Sequence, residues 1–521
     1  MMKTALLKNL FAATIIQVTV LSASATEEAP LSAQIDQLAH ELIETYRTPG
    51  LAIAVVKDGA VVHATGYGKR TFNEPDTVNT ETFFRVASVT KAFTAALIAT
   101  LVDDGKLNWD DKVIDYLPNF QMADPWVTRE FTIRDLFTHR SGLGPGAGDL
   151  MLWPAPAGFS RDEIIHNLRF LKPVSSFRSE YAYDNLLYIV AGEIAAKVSG
   201  TSWENSMQQR VLSRLDNNCY SEAPKTLRNV ATPHQITEGK LETVPRNAVT
   251  VESPVYAAAG GISCNISGLA DWMLTWLAGG SSASGQKIFS EEQRDEMWRG
   301  VTLMQPSRFE RDLMNTNFKS YALGWRKIDA MGHMFISHTG SLSGARAWVG
   351  MIPELNIGIA ILDNGNNSRV RNILMTALLA KLTGQPDRDW ATYIANWYDQ
   401  QQQSTQTPEE IEEEGKASVF LPLEHYAGAY KDNWFGWVDI KLNNGQLRFI
   451  SRKSKHMKGT LVPSHGNSFI VQWDNRSFEA DAWAKFDDDF DGKIIGMRMK
   501  AVSDEADSSF DFQDLDFAKQ Q

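Results

Sequence analysis

What most limits the fold of this chain is that its β-prone segments fall into two groups separated by a long helical stretch. Leu51-Ala-Ile-Ala-Val-Val56 and Val61-Val-His-Ala-Thr65 flank Lys57-Asp-Gly-Ala60, an Asp-Gly turn of the kind that joins antiparallel strands. Much later, Phe335-Ile-Ser-His-Thr-Gly340, Ala347-Trp-Val-Gly-Met-Ile352 and Ile357-Gly-Ile-Ala-Ile-Leu362 read as strands again. Between them, Ser88 to Asp104 carries Ala92, Ala95, Ala96, Ile98 and Ala99 with Gly105 placed to stop a helix. Tyr188 to Ser199 repeats the pattern with Ile189, Ala191, Ile194 and Ala195, followed by Gly200. Strands at both ends with helices between predict one α+β domain, residues 26–395, whose sheet is closed by distant segments.

Around Gln400 the composition changes. Residues 400–415, QQQQSTQTPEEIEEEG, are polar, acidic and poor in core-forming side chains, and the reading is a linker over 396–418 that holds at most a short helix. Beyond it, Trp437–Leu442 and Gln446–Ile450 flank Asn443-Asn-Gly445, and Ser468–Trp473 follows, which predicts a small all-β domain over 419–521.

Residues 1–25 carry Lys3 and Lys8, an apolar stretch and Ala23-Ser-Ala25, the pattern of a secretory signal cut after Ala25. The expected location is therefore periplasmic or secreted. The apolar stretch is interrupted by Gln17 and Thr19, and no later segment reaches the roughly 20 apolar residues of a membrane helix. The two cysteines, Cys219 and Cys264, can form one bridge in an oxidising compartment if they meet in space. The formal charge of −12 becomes −14 once Lys3 and Lys8 are removed, which argues against nucleic acid or an anionic membrane as the main partner.

Arg85-Val-Ala-Ser-Val-Thr-Lys-Ala-Phe93 sets Ser88 and Lys91 at i, i+3, where helical Cβ atoms are about 5 to 6 Å apart. A serine hydroxyl needs a neighbouring base to act as a nucleophile. A lysine would have to fall about three units from about 10.4 to accept a proton near neutrality, which costs about 4 kcal/mol. Burial among Phe84, Val86, Ala87 and Phe93 can supply that. On its own the pair fits two readings, a nucleophile with its proton acceptor or an ordinary helix start with a solvated lysine.

The run Phe83 to Leu107, with Phe131-Thr-Ile-Arg-Asp-Leu-Phe-Thr-His-Arg-Ser-Gly-Leu143, resembles the serine β-lactamase and penicillin-recognising hydrolase family, in its class C and D,D-peptidase branch. Ser88-Val-Thr-Lys91, Tyr183-Asp-Asn185 and His338-Thr-Gly340 stand in the family's order for its Ser-x-x-Lys, Tyr-x-Asn and Lys/His-Thr/Ser-Gly elements, and the resemblance spans about residues 35 to 385. It implies an antiparallel sheet flanked by helices with an all-α subdomain. It implies catalysis by Ser88, Lys91 and Tyr183, the tyrosine as general base toward Ser88 and then general acid. Asn185 would hold Lys91 and the substrate amide. His338, Thr339 and Gly340 would form the substrate-facing strand, and the backbone N–H groups of Ser88 and Ser341 the oxyanion hole. Gly340 would let substrate approach that strand closely. No metal and no cofactor is implied.

Three departures bear on specificity. Asp184 stands where the family usually has Ser or Ala, and would add negative charge if turned inward. His338 replaces the lysine common in class C β-lactamases and is expected to be mostly neutral at pH 7. Arg346 can then supply the cation for a substrate carboxylate. The expected activity is an exported serine hydrolase acting on small peptides, especially D,D-peptide or D-amino-acid types. The alternatives are a carboxylesterase or weak β-lactamase, and a slow-turnover penicillin-binding or sensing protein. Substrates are thus small peptides, esters or β-lactam-like molecules, chosen by loops such as Gly144-Pro-Gly-Ala-Gly148 and the Trp153 segment.

Asp487-Asp-Asp-Phe-Asp-Gly492 matches half of a calcium loop but has Arg498 where a bidentate Glu is needed, so it reads as a strand turn. The absence of Gly-x-Ser-x-Gly removes the α/β-hydrolase reading. The segment from Leu421-Pro-Leu-Glu-His-Tyr-Ala-Gly-Ala-Tyr430 onward resembles a small β-barrel-like domain appended to many bacterial members of the family. Covering the active-site mouth, joining oligomers and stabilising the fold are its three candidate roles, the last being the expectation.

Overall fold

The hairpin around the Asp-Gly turn forms as read: β1 (Gly50–Lys57) and β2 (Ala60–Gly68) pair antiparallel, and Asp58 and Gly59 take positive φ of 51° and 80°. These features come from a computed structural model that describes residues 30–405 and 418–520 apart from 217, 387 and 505; the signal segment, and 406–417 of the linker, lie outside the described residues. The main sheet gains β3 (Thr302–Met304), β4 (Lys319–Tyr321), β5 (Arg326–Ala330), β6 (His333–Leu342), β7 (Ala345–Ile352) and β8 (Ile357–Asp363). Its order is β2-β1-β8-β7-β6-β5-β4-β3, with every neighbour antiparallel. β1 pairs with β8 from Leu51↔Asp363 to Lys57↔Ile357, so the distant segments do close one sheet.

β1 is buried on both faces, and its alternation explains the layers. Leu51, Ile53 and Val55 face α1 (Leu31–Tyr46) and α5 (Ser368–Leu382), on which α6 (Trp390–Thr405) also packs. Ala52, Ala54 and Val56 face α4 (Ile266–Leu277) and the helical layer that contains α2 (Thr90–Asp103) and α3 (Leu186–Ser199). The second half of α6 lies in the segment read as a linker.

α2 is buried on all sides over Thr90–Leu101, which accounts for its lack of an amphipathic stripe. It starts later than the sequence predicts. Ala87–Val89 is a 3-10 turn, entered through Ala87 at φ 48°, so Ser88 sits on a strained corner before the helix. Behind that corner, Phe84–Arg85, Ser263–Cys264 and Cys219–Tyr220 form a three-stranded sheet, and Cys219 and Cys264 are joined by a disulfide.

The C-terminal region is a closed eight-stranded antiparallel barrel made of β9 (Gly428–Asp432), β10 (Gly436–Asn443), β11 (Gln446–Ser451), β12 (Lys458–Pro463), β13 (Ser468–Trp473), β14 (Ala482–Asp488), β15 (Ile494–Ala501) and β16 (Asp516–Lys519). The acidic stretch that lacks the calcium-loop glutamate is the β14–β15 turn, where Asp487 pairs with Arg498 at 2.7 Å. The barrel core is continuous with that of the helical layer. Asn167 Nδ2 donates to Trp434 O at 2.7 Å, Lys453 pairs with Glu163, and a Cβ on Gly146 would lie 2.1 Å from Ser508 O. Gly146 of the 144–148 loop thus makes room for the C-terminal domain.

Phe93 stacks on Trp272 at 4.0 Å, at the junction of α2 and α4. Phe93→Ala is expected to destabilise the catalytic domain by about 3–5 kcal/mol, measured as a lower midpoint in urea unfolding.

Candidate active site

The Ser88 corner, the loop before α3 and the end of β6 meet at one cavity of about 250 Å³. Its wall includes Ser88, Tyr183, Asn185, Arg326, Thr339 and Ser341.

Lys91, one turn along from Ser88, has no solvent exposure. Its Nζ lies 2.7 Å from Asn185 Oδ1, 3.0 Å from Ala259 O and 3.3 Å from Ser88 Oγ. Burial lowers its pKa to about 7, with Arg326 acting in the same direction and Asp149 and Asp184 opposing. A neutral amine then donates to Asn185 and Ala259 and turns its lone pair toward the Ser88 hydroxyl. Ala259 is fixed by the adjoining chain: Thr94 Oγ1 donates to Ala258 O at 2.7 Å, and Ile262 N–H donates to Thr90 Oγ1 at 3.1 Å.

Tyr183 places its hydroxyl on Ser88, and its ring centroid lies 4.8 Å from Lys91 Nζ. Burial raises its phenol to about 12, although Arg326 and the Ser88 bond oppose the shift. This does not favour the general-base role toward Ser88 that the resemblance implies for Tyr183. The amine, whose charged form burial penalises, is the better acceptor near neutrality, and the phenol is the proton donor.

Asn185 bridges Lys91 and Asp149, donating from Nδ2 to Asp149 Oδ2 at 2.7 Å. Asp184 is buried and turned toward α3, where Oδ1 accepts from Leu187 N–H at 3.3 Å. Burial raises its carboxyl to about 7.

Three of the residues expected to contact substrate, His338, Gly340 and Arg346, are absent from the cavity wall. His338 has no exposure and does not line the cavity. Its Nδ1 lies 2.7 Å from Thr339 O, so that nitrogen carries the hydrogen and Nε2 accepts from Tyr321 O–H at 2.8 Å. Gly340 is small for another reason than substrate access: a Cβ there would lie 2.1 Å from Val86 O, so β6 could not pack on the Ser88 corner. Arg346 is spent on backbone carbonyls, donating to Leu342 O, Ala345 O at 3.1 Å and Asn366 O at 3.0 Å.

The cavity's cation is Arg326, which has no sequence signature. Its guanidinium donates to Thr339 Oγ1 at 3.3 Å and lies 5.7 Å from the Tyr183 ring centroid. The other wall comes from the C-terminal domain, whose Phe478 and Asp507 to Phe510 line the same cavity. The expectation that this domain only stabilises the fold is therefore corrected, since it forms part of the mouth.

This fold and this cluster define a serine hydrolase of the penicillin-recognising class. The Beta-lactamase family profile matches residues 35–383, and the chain belongs to that family. A second profile, Domain of unknown function (DUF3471), matches residues 413–519. Among curated relatives, Unguisins hydrolase ungD of Aspergillus violaceofuscus is 25% identical over 476 residues, covering 84% of this chain and 81% of that one. Penicillin-binding protein 4 of Amycolatopsis lactamdurans is 27% identical, covering 65% and 86%. Beta-lactamase of Escherichia coli is 26% identical, covering 68% and 95%. The octameric penicillin-binding protein homologue from Pyrococcus abyssi shares the fold over 94% of this chain and 99% of its own, at 21% identity and a TM-score of 0.60. A class C beta lactamase from Rhodobacter sphaeroides does so over 67% and 100%, at 20% identity and 0.53.

If Lys91 must be neutral for Ser88 to react, labelling of Ser88 by a fluorophosphonate should rise with pH about a midpoint near the amine's value of about 7. Arg326→Met removes a cation that lowers Lys91, so the midpoint should move to higher pH.

Proposed function

We propose that this protein is an exported serine peptidase that cleaves short peptides, including ones with D-residues, through an acyl-enzyme on Ser88. The observation that carries the reading is the buried Lys91 amine, aimed at Ser88 with two of its directions already taken by acceptors.

In acylation, Ser88 Oγ adds to the substrate carbonyl carbon while its proton passes to Lys91. The resulting oxyanion is held by the N–H groups of Ser88 and Ser341. Tyr183, relayed from Lys91, then gives a proton to the leaving amine as the C–N bond breaks. Water repeats the sequence on the ester and releases the acid. Asn185 keeps the amine in place, and its exposed edge is available to the substrate amide.

A peptide suits this cavity on two grounds. The β5–β6 ladder ends at Arg326↔Ser337, whereas β6 stays paired with β7 as far as Leu342↔Ala345. Thr339 to Leu342 therefore keeps an edge along which an extended chain can lie. The wall also carries a cation, Arg326, and an anion, Asp507, which match the termini or charged groups of a peptide better than those of a neutral ester. The relatives named Unguisins hydrolase, Penicillin-binding protein 4 and Beta-lactamase support a hydrolytic role for the site.

Export is supported by the 1–25 segment and by the Cys219–Cys264 disulfide, which suits an oxidising compartment. Among the described residues no helix is long and apolar enough to cross a membrane. Protein recovered from the exporting cell should begin at Thr26 on N-terminal sequencing.

Ser88→Ala should abolish hydrolysis of D-alanyl peptides, and Tyr183→Phe should lower kcat by about 100- to 10,000-fold. Wild-type turnover of D-alanyl peptides, a short acyl ester and a chromogenic cephalosporin separates the alternatives: preference for the ester or the cephalosporin overturns the peptidase reading. A lasting adduct on Ser88 in intact-mass spectra after β-lactam treatment, without turnover, would mark a slow penicillin-binding or sensing protein.

A further inference from the structure

The segment between β15 and β16 leaves the barrel, reaches the catalytic cavity and returns. It is anchored on the barrel side by Phe512, which is fully buried and stacks on Trp473 at 5.7 Å. Phe510 stacks in turn on Phe512 at 5.7 Å. From this anchor Asp511, itself fully buried, reaches into the catalytic domain. Its two carboxylate oxygens accept from Gly148 N–H at 2.5 Å and Leu150 N–H at 3.0 Å, the residues on either side of Asp149. Burial and the neighbouring Asp184 push the Asp149 carboxyl well above its ordinary range, against the pull of Asn185 and Lys91.

Asp149 has no exposure and is the group that fixes Asn185. A carboxamide is two-sided, and only one orientation offers an acceptor to the Lys91 amine; the other sets N–H against N–H. Asn185 Nδ2 donates to Asp149 Oδ2, and this leaves Oδ1 for Lys91. Neither Asp149 nor Asp511 lines the cavity.

We propose that Asp149 is a positioning residue for the Lys91 amine, and that Asp511 of the C-terminal barrel holds the backbone on either side of it across the domain boundary. The barrel is thereby a working part of the acyl-transfer site and not only its wall. The inference rests on the reading of Lys91 as the proton acceptor for Ser88. The groups facing Lys91 are Asp149, Asp184, Arg326, His139, His338 and the rings of Tyr183 and Tyr188. Of these, Asp149 is the one whose flanking backbone the barrel holds, through Asp511.

The test uses the full mature chain, with p-nitrophenyl acetate for kcat and KM and a fluorophosphonate for the pH dependence of Ser88 labelling. Asp149→Asn should lower kcat by about 100-fold, the scale of a misplaced reacting group, with KM little changed. It should also move the labelling midpoint to lower pH, because Lys91 loses a negative neighbour. Asp511→Asn keeps the shape of the side chain but can accept with only one oxygen, and should lower kcat by about 10-fold on the same grounds. Unchanged kcat and midpoint in these variants, or a change in KM alone, would overturn the inference. Ser88→Ala separates the two levels: labelling that survives it refutes the reading of the site, whereas Ser88-dependent labelling with unmoved midpoints refutes only the role given to the barrel.

Discussion

The site is organised around one primary amine that has been taken out of water. Lys91 has no exposure and, among the described residues, no carboxylate in direct contact; its three neighbours are a carboxamide oxygen, a backbone carbonyl and the Ser88 hydroxyl. An ammonium there would lack the hydration and the counter-ion that sustain it, so the environment favours the free base. Much of the surrounding structure follows from that demand. α2 must be apolar all round to bury the amine, Ala259 must be stitched to α2 through Thr90 and Thr94, and the Ser88 corner must be strained to bring the hydroxyl back over its own helix.

The same demand explains why β6 matters more for its backbone than for its side chains. His338 serves Tyr321 from behind, and Gly340 exists so that Val86 can approach. The strand is thus pressed against the nucleophile's corner from one side while one edge of Thr339–Leu342 stays open. The fixed charge that a lysine would bring from β6 arrives instead from β5 in the form of Arg326.

The sheet and the nucleophile are legible in the sequence because their signals are local. An Asp-Gly turn between apolar runs specifies a hairpin, and Ser88 and Lys91 lie within one turn of each other. β3, β4 and β5 are short and half-buried, and their residues carry no run long enough to read as strands. The true start of α2 is hidden because the strain at Ala87 is imposed by packing, and alanine itself gives no hint of positive φ. Arg326 and Asp511 leave no local trace because each acts on a partner remote in sequence. The Gly144–Gly148 loop, read as shaping a substrate pocket, does carry a trace of the C-terminal domain: its Gly146 leaves space for Ser508.

The anchor of the loop that walls the cavity, Phe512, comes late in the order of synthesis, and that order has a bearing on biogenesis. Ribosomes deliver the nucleophile, its amine and the whole catalytic sheet well before the barrel can close, since β9 must wait for β16. Without the barrel the cavity would lack the Phe478 and Asp507–Phe510 wall. Pairing of β16 with β9 closes the barrel that carries this wall, so the mouth of the cavity is complete when the last strand is in place.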